Sequence, residues 1–147
     1  MAKFVFKMEN ILEVKCKVED QKKSAYATAL AFLDEEQTKL KALETKQLYY
    51  EEQLEELMMA VLQLDKIRQL EDGIEVIKYH IQQQMIAVQN AEVQAERARV
   101  ALQNAMIERK TYEKLKEKAF EEFKTELNAQ EKKEVDELVS YTFGAAH

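Results

Sequence analysis

Apolar side chains recur along most of this chain at alternating steps of three and four residues. This spacing places one apolar stripe along one side of a helix, as the seam of a coiled coil requires. The first run is apolar except for one glutamine and consists of Leu40, Leu43, Gln47, Tyr50, Leu54, Leu57, Val61 and Leu64. The second run keeps the same step and consists of Ile67, Leu70, Ile74, Ile77, Ile81, Gln84, Val88, Ala91, Ala95, Ala98, Leu102 and Ala105. Each run predicts a long helix.

The two runs do not join in register. The steps from Val61 to Leu64 and from Leu64 to Ile67 are both three residues, as at a stammer or a helix reversal. The chain contains no proline and only two glycines, Gly73 and Gly144, so little in it interrupts a helix. A single straight helix would leave its whole apolar stripe in water unless a partner chain covered it, whereas folding back buries the stripe within one chain.

The position of the reversal follows from two zones rich in alanine, one in each predicted helix. Helices lined with alanine approach more closely than helices lined with leucine, so small residues are expected to face small residues. Setting Ala25 opposite Ala98 and Ala31 opposite Ala91 places the reversal close to residue 61.

These observations predict an all-α fold, an antiparallel two-helix coiled-coil hairpin that forms a single domain over residues 1–147. Its expected parts are helix one over about 5–58, a turn within 58–66 and helix two over about 66–140. Asp65 is a candidate N-cap for the second helix because its carboxylate can accept hydrogen bonds from unpaired amides. Tyr50 falls opposite Gly73. Either the ring packs over a residue without a side chain, or the glycine is tolerated in a helix at a cost of up to about 1 kcal/mol.

The C-terminal part of the second helix has no partner in this hairpin. The register places Phe4 opposite the region just before Phe120, and the chain beyond Phe120 overhangs. An apolar helical stripe left without a partner usually marks an interface; fraying and packing against a second copy are the alternatives. The stripe on the overhanging C-terminal helix consists of Phe120, Phe123, Leu127, Val135 and Leu138.

The charge balance argues against a nucleic-acid partner. The formal net charge is −6 and the pI is near 5.1, whereas affinity for nucleic acid rests on a basic face. The lysines near the N-terminus alternate with acidic residues, which indicates a solvated face rather than a patch for anionic membranes. No apolar run approaches the roughly 20 residues of a membrane span, and the N-terminus lacks the apolar core of a signal peptide. We therefore expect a soluble cytoplasmic protein.

No catalytic, cofactor or metal site is expected. Cys16 is the only cysteine, which excludes an internal disulfide and favours a reducing compartment. Because no histidine is close to it in sequence, a structural role is favoured over nucleophilic chemistry. A helical metal site needs ligands four residues apart, and the positions four residues from His80 hold Val76 and Gln84. Two isolated glycines cannot build a phosphate-binding loop, so the chain is not expected to be an enzyme.

Both ends of the chain carry a recognisable pattern. At the N-terminus, alternating phenylalanines in residues 4–8 (FVFKM) precede a short apolar and charged helix start in residues 11–15 (ILEVK). Near the C-terminus, residues 112–118 (YEKLKEK) are followed by phenylalanines at 120 and 123 and by two lysines ahead of an acidic pair. Together these segments resemble the family of the flagellar export protein FliJ, from bacterial flagellar type III secretion.

This resemblance implies a stalk similar to the central stalk of rotary ATPases. Its expected partners are the hexameric flagellar export ATPase, whose ring assembly it promotes, the export gate, which is a membrane protein, and export chaperones, which it helps to cycle. It implies a peripheral position at the cytoplasmic face of the cell membrane and a role in flagellum biogenesis, and through it in motility and chemotaxis. Phe120, Phe123 and Leu127 of the overhanging helix are the implied contacts to the ATPase.

The resemblance also implies a gate-contact surface along the middle of both helices. Leu43 and Tyr50 on the first helix align with it, as do Leu70 and Gly73 on the second. The chain departs from the family pattern at Lys66, where an aromatic residue is expected. Leu43, Tyr50 and Leu70 also lie on the heptad seam, where packing within the hairpin is the alternative role.

The alternative function is a parallel homodimeric coiled-coil scaffold or spacer with no ATPase partner. Such a dimer would be about twice as long as the hairpin, at about 1.5 Å per helical residue, and would have twice its mass.

Overall fold

The computed structural model describes residues 3–60 and 63–145, with side chains over the same residues except 132 and 135–145. Two α-helices account for nearly all of it, α1 over Glu9–Met59 and α2 over Leu64–Ala145. The described residues include no strand. The chain reverses between Met59 and Leu64, and the predicted pivot, Val61, lies outside the described residues.

The start of α2 differs from the expected cap. The N–H of Ile67 donates to the carbonyl of Gln63 at 3.1 Å, so Gln63 immediately precedes the helix. Asp65 lies inside the first turn and is not the N-cap. Its negative charge there is next to the positive end of the helix dipole, which is a favourable position for it.

The chain forms two compact units. The turn unit is Lys22–Leu102, and the terminal unit combines Met1–Gln21 with Gln103–His147. Each helix therefore contributes a segment to each unit.

In the turn unit, α1 and α2 pack side by side in opposite directions. Tyr50 contacts Gly73 near the reversal, and Glu36 contacts Gln84 further from it. This arrangement confirms the all-α helical hairpin and excludes a fold in which both predicted helices form one continuous helix. Among the described residues of this unit, the buried apolar ones lie on the predicted seam of α2 and are Ile67, Ile74, Ile77, Val88, Ala91 and Ala95.

The alanine pairing expected between the helices is wrong in detail. Ala91 on α2 is only 1% exposed, as expected for a residue at a close helix contact. On α1, however, Ala25 and Ala31 are exposed, while Tyr26 and Ala29 are half-buried. The 3–4 spacing of the first run, continued backwards along α1, leads to Tyr26 and Ala29 rather than to the other two alanines.

The terminal unit packs the N-terminal segment against α2 around Phe120. The ring of Phe4 packs edge-on against Phe120, with 5.2 Å between ring centroids, and lies 5.5 Å from the ring of Phe123. The predicted proximity of Phe4 and Phe120 is confirmed, but the expectation that Phe120 and Phe123 have no partner within the chain is wrong, because the N-terminal segment extends far enough along α2 to pack on both rings. Leu12 and Ala105 are buried in the same unit. From Phe123, α2 continues to Ala145; the predicted overhang residues Val135 and Leu138 have side chains outside the described set.

Two carboxylates are buried on the α1 seam and each is held by α2. Glu19 pairs with Arg109 in the terminal unit. In the turn unit, the side-chain amide of Gln84 donates a hydrogen bond to the carboxylate of Glu36. The same amide donates to the backbone carbonyl of Glu36 at 2.9 Å. A buried polar group without a partner is costly, so these pairs favour one alignment of the two helices over its neighbours.

Candidate interaction surfaces

The residues expected to contact the export gate are partly brought together by the turn unit. Tyr50 from α1 and Leu70 and Gly73 from α2 line one open groove of about 450 Å³. Leu43 does not line it and lies half-buried two helical turns before Tyr50. We call this surface the turn-unit groove; its lining is Tyr50, Gln53, Leu57, Lys66, Gln69, Leu70 and Gly73.

The shape of the turn-unit groove depends on the missing side chain at Gly73. A Cβ atom at this position would lie 3.3 Å from Cε2 and 3.5 Å from Cδ2 of Tyr50. The tyrosine ring therefore rests on the backbone of α2. This confirms the prediction that the Tyr50 ring packs over a residue without a side chain. The Nζ atom of Lys46 lies 5.8 Å from the centre of this ring, within range of a cation–π contact.

Lys66 lines the same groove. The family resemblance predicts an aromatic residue at this place, so the groove here has an exposed basic side chain in place of a ring. A partner that binds this groove meets a positive charge beside Leu70 and Tyr50.

One of the three residues expected to contact the ATPase, Phe120, lines a second groove, in the terminal unit. It measures about 440 Å³, and we call it the terminal groove. Phe4 and Phe120 form its apolar part, and Glu113, Lys116 and Glu117 form its polar part. Sequence reasoning paired Phe4 with the Phe120 region but did not identify the acidic and basic lining, which depends on how α2 is turned toward the N-terminal segment.

Two of the three ATPase candidates, Phe120 and Phe123, contact Phe4, but only Phe120 lines the terminal groove. Phe123 is half-buried beneath Phe4, and Phe120 is partly exposed with Nζ of Lys124 lying 5.1 Å from its ring centre. Leu127 is half-buried one turn further along α2 and does not line the groove.

Ion pairs between the helices hold the terminal unit together. Nζ of Lys15 lies 2.8 Å from Glu108, and Nζ of Lys116 lies 2.8 Å from Glu9. The hydrogen bond to Glu108 and the charge of that carboxylate raise the pKa of Lys15. Hydrogen bonds to Glu113 and to Glu19 likewise raise the pKa of Arg109.

In the turn unit, the main electrostatic feature is Glu36. The hydrogen bond from Gln84 lowers the pKa of its carboxyl, and the neighbouring Lys39, at 3.3 Å, adds to the effect. The heptad spacing could have located this residue, because one further step back from Leu40 leads to Glu36. Its partner Gln84 already stood out as a polar residue in the α2 seam.

The charged groups with shifted pKa values are thus held in their ionised forms by ion pairs and hydrogen bonds. Among the described residues there is no group of three His, Cys, Asp or Glu side chains placed to hold a metal ion. Within the described ranges, neither helix has a stretch long and apolar enough to cross a membrane.

The fold is that of an all-α helical-hairpin protein. The model of the flagellar FliJ protein family matches residues 4–147, and the chain belongs to this family. It is therefore related to components of flagellar type III protein export.

A solved structure has the same fold. It is that of CT670 from Chlamydia trachomatis, described as a YscO homolog, with a TM-score of 0.57 and 23% sequence identity. The similarity covers 92% of this chain and 93% of that one. A search of curated protein sequences returned no significant match.

Proposed function

We propose that this protein is the coiled-coil stalk of a flagellar protein export apparatus. In this role it associates with the export ATPase ring, contacts the export gate and helps to cycle export chaperones at the cytoplasmic face of the membrane. The observation that carries the proposal is the FliJ family match over residues 4–147. The similarity in fold to a protein described as a YscO homolog is consistent with it.

The terminal groove is the proposed ATPase contact. Phe120 is 39% exposed although it packs against Phe4, so an apolar ring remains available to a partner. Aromatic residues in partly enclosed pockets are frequent hot spots in protein interfaces. Lys116 and Glu117 beside the ring would orient the partner.

The turn-unit groove is the proposed gate contact. Tyr50 and Leu70 supply apolar surface, and Gln53 and Gln69 supply hydrogen-bonding groups at its edge. Because Tyr50 also packs on Gly73, its substitution would mix folding and binding effects. Lys66 is exposed and lines the groove, so its substitution tests binding with less effect on packing than a substitution of Tyr50.

The ATPase contact is tested by measuring ATPase binding and stimulation with Phe120→Ala. Truncating an interface hot spot costs about 2 kcal/mol or more, so we expect affinity to fall by roughly thirtyfold. Leu115→Ala is the matched control, because Leu115 is 41% exposed on the same helix. Equal binding by the two variants, both shown to be folded by circular dichroism, would remove the terminal groove from the ATPase contact.

The gate contact is tested by Lys66→Glu, with binding to the gate measured directly. Lys78→Glu is the control, since Lys78 is an exposed lysine of the same helix that lies outside the turn-unit groove. We expect only the first variant to alter gate binding. For the function as a whole, cells lacking the protein should fail to export filament protein, and normal swimming by such cells would contradict the proposal.

A further inference from the structure

A second apolar stripe lies on α2, separate from the hairpin seam. Its members are spaced seven residues apart, and all are between 41% and 58% exposed. We call this stripe the outer column; within the turn unit it consists of Tyr79, Ile86, Val93 and Val100.

The outer column faces away from α1. Each member follows a seam residue by two positions, as Tyr79 follows Ile77 and Val93 follows Ala91. Two residues correspond to a rotation of about 200° around a helix with 3.6 residues per turn. Ile77 and Ala91 are buried against α1, so the outer column is on the opposite side, and α1 cannot cover it.

The half of the outer column that holds Tyr79 and Ile86 lies in a segment without charged residues, whereas Val93 and Val100 lie among two acidic and two basic residues, Glu92, Glu96, Arg97 and Arg99. No Asp, Glu, Lys or Arg occurs from Tyr79 to Ala91, in a chain of which 34% is charged. The residues three and four positions after Tyr79, Ile86 and Val93 flank the column. Most of them have amide side chains, and they are Gln82, Gln83, Gln89, Asn90, Glu96 and Arg97. Between Tyr79 and Ala91, a charged partner would find no opposite charge, and its own charges would be desolvated there without compensation.

A second copy of the same face fits this surface. Amide side chains both donate and accept hydrogen bonds, so each can pair with the same residue type on another copy. With two α2 helices antiparallel, Ile86 meets Val93, and the flanking Glu96 meets Gln82. With the helices parallel, Glu96 approaches Arg97. No two like charges meet in either direction, although two copies of net charge −6 repel one another over most of their surface.

We propose that the outer column of α2 is a self-association surface, on which a second copy of this chain packs its own outer column. The contact joins two folded hairpins through α2 and leaves the turn-unit groove and terminal groove on each copy as described. It does not depend on the proposed export function. Because a single apolar column is small for a stable interface, we expect a dissociation constant in the micromolar range, of about 1–100 μM.

The test is sedimentation velocity on the full-length protein from low to high micromolar concentration. We expect a monomer that converts to a dimer as concentration rises. Ile86→Glu and Val93→Glu should each weaken dimerisation by at least tenfold, because they place a carboxylate in the contact from both copies. Circular dichroism should show that both variants stay helical, since the substituted side chains are exposed in the single chain.

Leu48→Glu is the matched control. Leu48 is 57% exposed on α1, outside the outer column, so this variant adds the same charge at an equally exposed apolar position and should dimerise like the unaltered protein. A protein that stays monomeric at the highest concentration would overturn the proposal. Dimerisation that is unchanged by both column substitutions, or equally weakened by Leu48→Glu, would also overturn it.

Discussion

Replacing Gly73 with alanine puts two opposing effects at one position of the turn unit. Alanine stabilises a helix interior by about 0.8–1.0 kcal/mol relative to glycine. Against this, the new Cβ would lie 3.3 Å from Cε2 of Tyr50, slightly closer than ordinary van der Waals contact. The sign of the net effect depends on whether the tyrosine ring can move by a few tenths of an ångström.

The structure indicates that the ring can move. Tyr50 is half-buried and borders the open turn-unit groove. A shift of that size at the ring edge needs a rotation of a few degrees, far below the deviation of about 30° that costs about 0.5–1.5 kcal/mol. We therefore expect Gly73→Ala to increase the free energy of unfolding by about 0.5–1 kcal/mol. For a chain of this size the Tm should rise by about 1–4 °C.

Urea denaturation followed by circular dichroism measures this change, and a double-mutant cycle with Tyr50→Ala isolates the steric part. If the ring accommodates the methyl group, the coupling between the two substitutions should stay below about 0.5 kcal/mol. The reasoning is refuted if Gly73→Ala destabilises the protein while the same change stabilises the Tyr50→Ala background. That pattern would mean that the ring is held rigidly over the glycine.

Three further predictions concern buried or packed positions. Because the pKa of Glu36 is lowered in the folded protein, its carboxylate stabilises the fold above the ordinary glutamate pKa, and this contribution is lost as the pH falls through the folded value. Gln84→Leu should therefore flatten the fall in Tm between neutral and acidic pH; an unchanged pH profile would contradict this. Phe4→Ala should destabilise the terminal unit by about 1–3 kcal/mol through loss of its two ring contacts, measured as faster amide hydrogen exchange there. Ala91→Leu should cost about 1–3 kcal/mol in thermal denaturation by overfilling a closed helix contact, whereas Ala31→Leu should change stability by less than about 0.5 kcal/mol. Similar costs for the two alanines would be inconsistent with the α1 face described here.

The heptad pattern was sufficient to predict the helical hairpin, because a long apolar stripe in a chain without proline has few other ways to leave water. The alanine pairs were predicted less well. Ala25 and Ala31 were matched to α2 by composition alone, but a helix presents only part of its circumference to a partner, and both residues lie off that part. Continuing the phase of the first run back from Leu40 would have selected Tyr26 and Ala29.

For the interaction surfaces, the sequence supported those features that follow from register. Phe4 could be placed near Phe120 because both positions follow from the fold point. The pairing of Glu19 with Arg109 could not be predicted from the sequence, because a long basic side chain can reach several carboxylates and only the packed structure selects one. The roles of Phe120, Leu70 and the other candidate contacts in binding the ATPase and the gate stay predictions.

The two units also differ in how much chain must be brought together to form them. The side chains of Glu36 and Gln84 are 48 residues apart in sequence, whereas Lys15 and Glu108 are 93 residues apart. Contacts of long sequence separation form later, since more chain entropy is lost when their loop closes. We therefore expect the contacts beside the reversal to form first and the contacts of the terminal unit, such as Phe4 with Phe120, to form last. On a ribosome, Phe4 has to wait for Phe120 to emerge, so the terminal groove cannot form before more than a hundred residues of α1 and α2 have been synthesised.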